Sequence, residues 1–168
     1  MTINSQAKGK RAERDLVAYL KSAGWPDARR HVRTGDRFTA DEGDIRLEGP
    51  RGVGTVVLEV KHHAGGLNVG QVVVFLSKLW SAQCRPGELG ILVERRERVT
   101  DPGEWWAHMT WLTAFKLVGL VMSKQEVGTL DYVRTSVASA MELVRGYQQR
   151  QAKAAGIQVN PFLDGASL

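Results

Sequence analysis

The segment of residues 53–61 constrains the fold of this chain most, because most of its side chains are β-branched or apolar. Such a composition predicts a strand in the centre of a sheet. Side chains alternate between the two faces of a strand, so Glu59 and Lys61 lie on one face, about 6–7 Å apart. Burying two charged side chains at the end of a strand costs free energy, unless they form ion pairs or take part in the function of the protein. The alternative is an edge strand whose charged end projects into solvent.

The turn that precedes this strand predicts a partner for Glu59. Gly49 and Gly54 bracket a symmetric hairpin. That symmetry places Asp44 opposite Glu59, whereas a slip of one residue would send Asp44 to the other face of the sheet. Two carboxylates in contact repel each other, and a divalent cation relieves the repulsion. Oxygen ligands without sulfur suit Mg²⁺ or Mn²⁺.

The remaining segments alternate between strand and helix patterns. Apolar and β-branched runs predict further strands, and spacings of three and four predict helices. The expected strands are residues 28–33, 44–47, 89–94 and 105–109, and the expected helices are residues 6–23, 67–83, 112–120 and 130–153.

Residues 105–122 form an apolar stretch that reaches the nominal length of a membrane span. His108 and Lys116 argue against a span, so we expect a strand and then a helix capped by Thr110. One continuous helix capped by Asp101 is the competing interpretation.

The basic charge is concentrated at the start of the chain. The 168-residue chain has the size of one domain and a net charge of +5. Residues 1–37 hold nine basic and four acidic side chains, so this segment accounts for the whole excess. A basic N-terminal segment is typical of a protein that binds a polyanion, although a merely solvated surface is the alternative.

The single cysteine, Cys84, cannot form an internal disulfide, which favours a reducing cytoplasm. The first 24 residues are charged and contain no apolar core of signal-peptide length, so we expect no export.

Glu13 is unusual because its helical spacing to Leu16 and Leu20 places a carboxylate on or beside an apolar face. It either reaches solvent at the helix edge or is kept for a metal or another cation. With Asp44 and Glu59 it would complete a metal cradle. Lys61 would then stabilise a pentacovalent phosphate or orient an attacking water. Such a cradle suits phosphodiester hydrolysis.

These residues occur in an order that resembles the PD-(D/E)XK nuclease superfamily. The matching motifs are Glu13, Gly43-Asp44-Ile45 and Val57-Leu58-Glu59-Val60-Lys61. Gly43 stands where that superfamily has a proline, and Asp41 and Glu42 are neighbouring acids. Within the superfamily, residues 8–120 are similar to Holliday junction resolvases of the archaeal type and their phage relatives. The segments that carry this similarity are residues 9–14, 16–20, 24–25 and 29–33.

The resemblance implies an α/β fold with a restriction-endonuclease-like mixed central sheet flanked by helices. Outside the resemblance, the apolar spacing of the last segment predicts an added C-terminal helix. Residues 1–125 would form the nuclease-like domain. Residues 126–155 would form a helix that packs on the domain or on a dimer partner, and residues 156–168 a disordered tail.

The resemblance also implies the roles of individual residues. The catalytic set would be Glu13, Asp44, Glu59 and Lys61. The ligands of Mg²⁺, which Mn²⁺ would replace, would be Asp44, Glu59, the backbone carbonyl of Val60 and, through water, Glu13. The DNA-binding residues implied by the resemblance would be Arg14, Arg30 and Arg33, and the basic charge of the N-terminal segment adds Lys10 and Arg11 to them.

The expected function is therefore a metal-dependent, structure-selective DNA endonuclease, a Holliday junction resolvase that acts on four-way junctions as a homodimer. Another nuclease of the same fold and a DNA-binding module that does not cleave are the alternatives. Residues 105–120, or the apolar stripe of the last helix, would supply the dimer surface.

Overall fold

The computed structural model of the protein describes residues 5–30, 44–120 and 132–158. The strands form one six-stranded mixed sheet in chain order, in which β3 and β4 are parallel and the other neighbours are antiparallel. The strands are Arg29–Arg30 (β1), Ile45–Leu47 (β2), Val56–Lys61 (β3), Leu89–Glu94 (β4), Trp106–Thr110 (β5) and Tyr132–Ser136 (β6). The helices are Ser5–Ser22 (α1), Val69–Lys78 (α2), Trp111–Val118 (α3) and Val137–Ala154 (α4). The predicted α/β class with a mixed sheet is confirmed.

The helices cover the two faces of the sheet unequally. On one face, α1, α3 and α4 bury their apolar sides against the even-numbered residues of β3, such as Val56 and Leu58. On the other face, α2 packs Val72 and Leu76 against Val57. Because β3 alternates, Glu59 and Lys61 lie on the same face as Val57 and α2. The charged end of the strand is therefore on the less covered face of the sheet.

The predicted hairpin register is confirmed. Arg46 pairs with Val57 and Leu47 with Val56. Ile45 pairs with Leu58, so Asp44 follows directly at the position opposite Glu59.

The apolar segment that begins at Trp105 divides into β5 and α3, as expected. The Thr110 hydroxyl caps α3 by accepting a hydrogen bond from the Thr113 backbone N–H, and Gly119 ends the helix with a positive φ of 85°. Asp101 caps only a short 3₁₀ turn, Pro102–Glu104, so the continuous helix is excluded. None of the helices in the described ranges is long and apolar enough to span a membrane.

Three predicted boundaries are wrong. The helix expected over residues 130–153 begins at Val137, because residues 132–136 form β6 by pairing with β5, and the Ser136 side chain then caps α4. The strand expected over residues 53–61 begins at Val56, after the turn. The helix expected over residues 67–83 starts at Val69, where Asn68 and Gln71 form a capping box, and ends in a π-helical turn, Leu79–Gln83.

Gly49, in the turn that aligns Asp44 with Glu59, leaves no space for a side chain. A methyl group there would lie 2.0 Å from the carbonyl oxygen of Val53, a backbone atom that cannot move without shifting the turn. We expect Gly49→Ala to lower the free energy of unfolding by about 1–3 kcal/mol in urea titrations. Gly9→Ala is the control, because its methyl group meets open space on α1. The control should raise stability by about 0.5–1 kcal/mol, and a Gly49→Ala protein of unchanged stability would contradict the expectation.

Candidate active site

Asp44 and Glu59 meet where β2 begins and β3 ends. Asp44 is half-buried and Glu59 is buried. The Asp44 backbone N–H donates to the carbonyl oxygen of Leu58 over 3.1 Å, and the Val60 N–H donates to Asp44 Oδ2 over 2.7 Å. These hydrogen bonds hold the Asp44 carboxylate against β3, beside Glu59.

The surroundings of Asp44 oppose its ionisation. Burial, and after it the negative charge of Glu59, raises the pKa of Asp44 to about 6, and Glu13 contributes in the same direction. The Val60 hydrogen bond and the Lys61 charge lower it only in part. A divalent cation at this point would favour the ionised carboxylate.

Lys61 lies on the same face as Glu59, two residues further along β3. Its ammonium group is bound to Glu59 Oε1 and lies 5.3 Å from the ring centroid of Phe75 on α2. These two contacts hold the Lys61 ammonium next to the carboxylates.

Glu13 binds a cationic side chain, and binding a cation is one of the two roles expected from its position in the sequence. It is half-buried on α1, and its Oε2 lies 2.6 Å from Nε and 2.5 Å from Nη2 of Arg30. The guanidinium of β1 therefore holds this carboxylate. The contact pairs a predicted metal ligand with a predicted DNA-binding residue.

The donor atoms at this site suit a hard divalent cation, although the described residues do not form a complete cradle. In residues 5–30, 44–120 and 132–158, no group of three or more acidic, histidine or cysteine side chains is arranged to hold a metal. Asp44 and Glu59 provide carboxylate oxygens on adjacent strands, and burial together with the charge of Glu59 raises the pKa of Asp44. Two carboxylates with a nearby carbonyl fit Mg²⁺ or Mn²⁺.

Three of the predicted DNA-binding residues lie exposed on α1. These residues are Lys10, Arg11 and Arg14. Arg30 is bound to Glu13, and Arg33 lies outside the described residues.

A basic cleft that the sequence interpretation missed lies where β3 and β4 end. Its volume is about 350 Å³. Its lining residues are Lys8, Arg11, His62, Arg95, Arg96, Glu97 and Arg98. Burial, and after it the charges of Arg95 and Lys8, lowers the pKa of His62. The signal for this cleft in the sequence is the charged run of residues 95–98, which contains three arginines.

A larger cleft of about 900 Å³ lies at the opposite end of the β2–β3 hairpin and contains none of the predicted catalytic residues. Its floor includes Trp25, whose indole N–H donates to Gln148. Gln148 in turn donates to the carbonyl oxygens of Leu47 and Gly54. These hydrogen bonds tie α4 to the hairpin, so they have a structural role.

A buried acid–base pair supports the strand end that carries Lys61. Glu94, the register partner of Lys61 on β4, accepts hydrogen bonds from the Leu67 backbone N–H at 2.7 Å and from His108 Nε2 at 2.8 Å. Burial lowers the pKa of His108 despite the carboxylate, so the imidazole is neutral near pH 7. Glu94 therefore fixes the segment that leads from Lys61 to α2.

Comparisons of the chain with protein-family models, with curated proteins and with solved structures find no match.

Proposed function

We propose that this protein is a metal-dependent endodeoxyribonuclease of the PD-(D/E)XK kind, and specifically a Holliday junction resolvase. The observation that carries the proposal is the meeting of Asp44 and Glu59 on adjacent strands, with Lys61 on the same face. Two carboxylates and a lysine in this arrangement suit phosphodiester hydrolysis, in which negative charge develops on phosphorus oxygens.

The carboxylates of Asp44 and Glu59 and the backbone carbonyl of Val60 would hold Mg²⁺, and Glu13 would contribute through water after release from Arg30. When bound, Mg²⁺ supplies Lewis-acid activation of the phosphate and of a water. The donor set fits this role because all of its atoms are hard oxygens.

The chain's own residues then orient the reaction. Lys61 Nζ donates hydrogen bonds to a non-bridging oxygen of the pentacovalent phosphate, or to the attacking water, while Phe75 restricts its position. Exposed cations on α1 hold the DNA backbone by charge, independently of its sequence.

The resolvase proposal adds a branched substrate and a homodimer, because symmetric nicking of two strands requires two equivalent sites. An apolar stripe on α3 supports a dimer surface. Trp111 and Val118 are 40% and 47% exposed, Leu120 just beyond the helix is 56% exposed, and Phe115 stacks on Trp111 with ring centroids 5.5 Å apart. We also place the protein in a reducing cytoplasm, because its single cysteine, Cys84, forms no internal disulfide.

The test is incubation of the full chain with linear duplex, flap and mobile four-way junction DNA, with and without Mg²⁺. We expect paired nicks on opposing junction strands, only with Mg²⁺, and little cutting of linear duplex. Sedimentation of the same preparation should give about twice 18.6 kDa. If the protein is a monomer that degrades linear duplex equally well, it is a general nuclease and not a resolvase. If it binds DNA without any cleavage, it is a DNA-binding module.

A further inference from the structure

Trp106 lies at the start of β5, on the edge of the sheet where β3 and β4 end. β5 is antiparallel to β4, and Trp106 pairs with Glu94, which itself pairs with Lys61. Trp106 therefore occupies the same edge and the same face as the catalytic lysine, two strands away. Its side chain is half-exposed, whereas the neighbouring Trp105 is fully buried.

Two guanidinium groups are held on the Trp106 indole. The guanidinium carbon of Arg96 lies 4.4 Å from the ring centroid, and that of Arg134 on β6 lies 4.8 Å from it. Arg96 also donates to the backbone carbonyl of Glu104 over 3.0 Å. Cation–π contacts of this kind fix side chains that otherwise sample many rotamers.

The positive charge of this pair is not neutralised within the part of the chain that the structure describes. No carboxylate there lies within ion-pair distance of Arg96 or Arg134. Two like charges that share one ring repel each other, and a bound anion would relieve that repulsion. The charge of Arg30, by contrast, is neutralised by its ion pair with Glu13.

Arg96 and Arg134 extend the basic cleft, so that the two together form one track of positive charge. Arg96 belongs to the cleft lining, together with Lys8 and Arg11 of α1 and Arg98 of the loop, and Glu97 is the one acidic residue of that lining. The track runs from α1, past the end of β3, to Arg134 on β6. A linear track of this kind suits a linear polyanion better than a small one.

We propose that Arg96, Trp106 and Arg134 form a second DNA-backbone site, in which two guanidinium groups held on the indole bind phosphates of the duplex that flanks the cleaved position. This inference rests on the proposed nuclease function. The ligand is the backbone rather than a base, because the aromatic ring is already engaged by the two arginines. Arginine binds phosphate with charge-assisted and often bidentate hydrogen bonds.

The test measures the affinity for a labelled four-way junction over a range of salt concentrations, with Ca²⁺ in place of Mg²⁺ so that binding is observed without cleavage. The double variant Arg96→Gln, Arg134→Gln should reduce the slope of log K against log salt by about 2. Trp106→Leu keeps every charge but releases the guanidinium groups, so it should weaken binding about fivefold. Trp106→Phe should restore most of that loss.

The control is the double variant Arg51→Gln, Lys153→Gln, which removes the same charge from exposed positions in the β2–β3 turn and at the end of α4, away from the basic cleft. It should leave the slope within about 0.5 of that of the unmodified protein. An unchanged slope in the double arginine variant, while the unmodified protein binds normally, overturns this inference alone. Absence of salt-dependent binding by the unmodified protein overturns the proposed function as well. A Trp106→Leu loss with an unchanged slope in the arginine variant would indicate base stacking and also overturns the proposal.

Discussion

Lys61→Ala is expected to slow DNA cleavage by about 10²–10⁴-fold, because it removes a hydrogen-bond donor aimed at charge that develops only in the transition state. Glu59→Gln and Asp44→Asn should have effects of the same order, since each removes a carboxylate from the proposed metal site. Junction affinity measured with Ca²⁺ should change little in Lys61→Ala, because binding depends on the exposed cations of α1 and the basic cleft. The measurement is single-turnover cleavage of a labelled four-way junction.

Matched controls separate loss of chemistry from loss of charge. Lys153→Ala and Glu142→Gln remove one lysine and one carboxylate from exposed positions on α4. Both variants should cleave at the rate of the unmodified protein. Full activity in Asp44→Asn would show that the wrong acid was chosen, with Asp41 or Glu42 as the next to test.

The carboxylate pair could be predicted from the sequence because its geometry is local. Gly49 and Gly54 mark the two sides of the β2–β3 connection, and side chains alternate with a period of two. The symmetric register therefore predicts Asp44 opposite Glu59, and the structure adopts that register rather than the slipped one. The strand at Leu89–Glu94 was predicted to the residue for a related reason. A continuous apolar run between turn signals leaves few alternatives.

Features that depend on distant partners could not be predicted in the same way. Val133 and Val137 fit the spacing of the helix that follows, so only pairing of β6 with β5 shows that Val133 belongs to a strand. The sequence shows that Glu13 and Arg30 carry opposite charges, but not that α1 and β1 bring them within 2.6 Å. Likewise, Arg134 reaches Trp106 only because β6 lies beside β5.

The surroundings of Asp44 link the stability of the protein to the chemistry of the site. The pKa of Asp44 is about 6 in the folded protein, against 3.8 for the ordinary carboxyl. The folded state therefore binds more protons than the unfolded state between these values, and ionisation of Asp44 lowers stability as pH rises. Below pH 3.8 the carboxyl is protonated in both states and costs nothing, whereas above pH 6 the cost is fully present.

Asp44→Asn is consequently expected to raise the free energy of unfolding by about 3 kcal/mol at pH 7 in the absence of divalent cations. The amide oxygen of asparagine can still accept the hydrogen bond from the Val60 N–H, so the variant removes charge and keeps the contact. Urea titrations should show this gain shrinking as pH falls from 6 towards 3.8. Mg²⁺ should raise the melting temperature of the unmodified protein by more than that of Asp44→Asn, because the variant loses one of the two carboxylates proposed to hold the cation. Equal stability of the two proteins at pH 7 would mean that ionisation of Asp44 does not destabilise the fold. The Asp44–Glu59 pair would then have no electrostatic need for a cation.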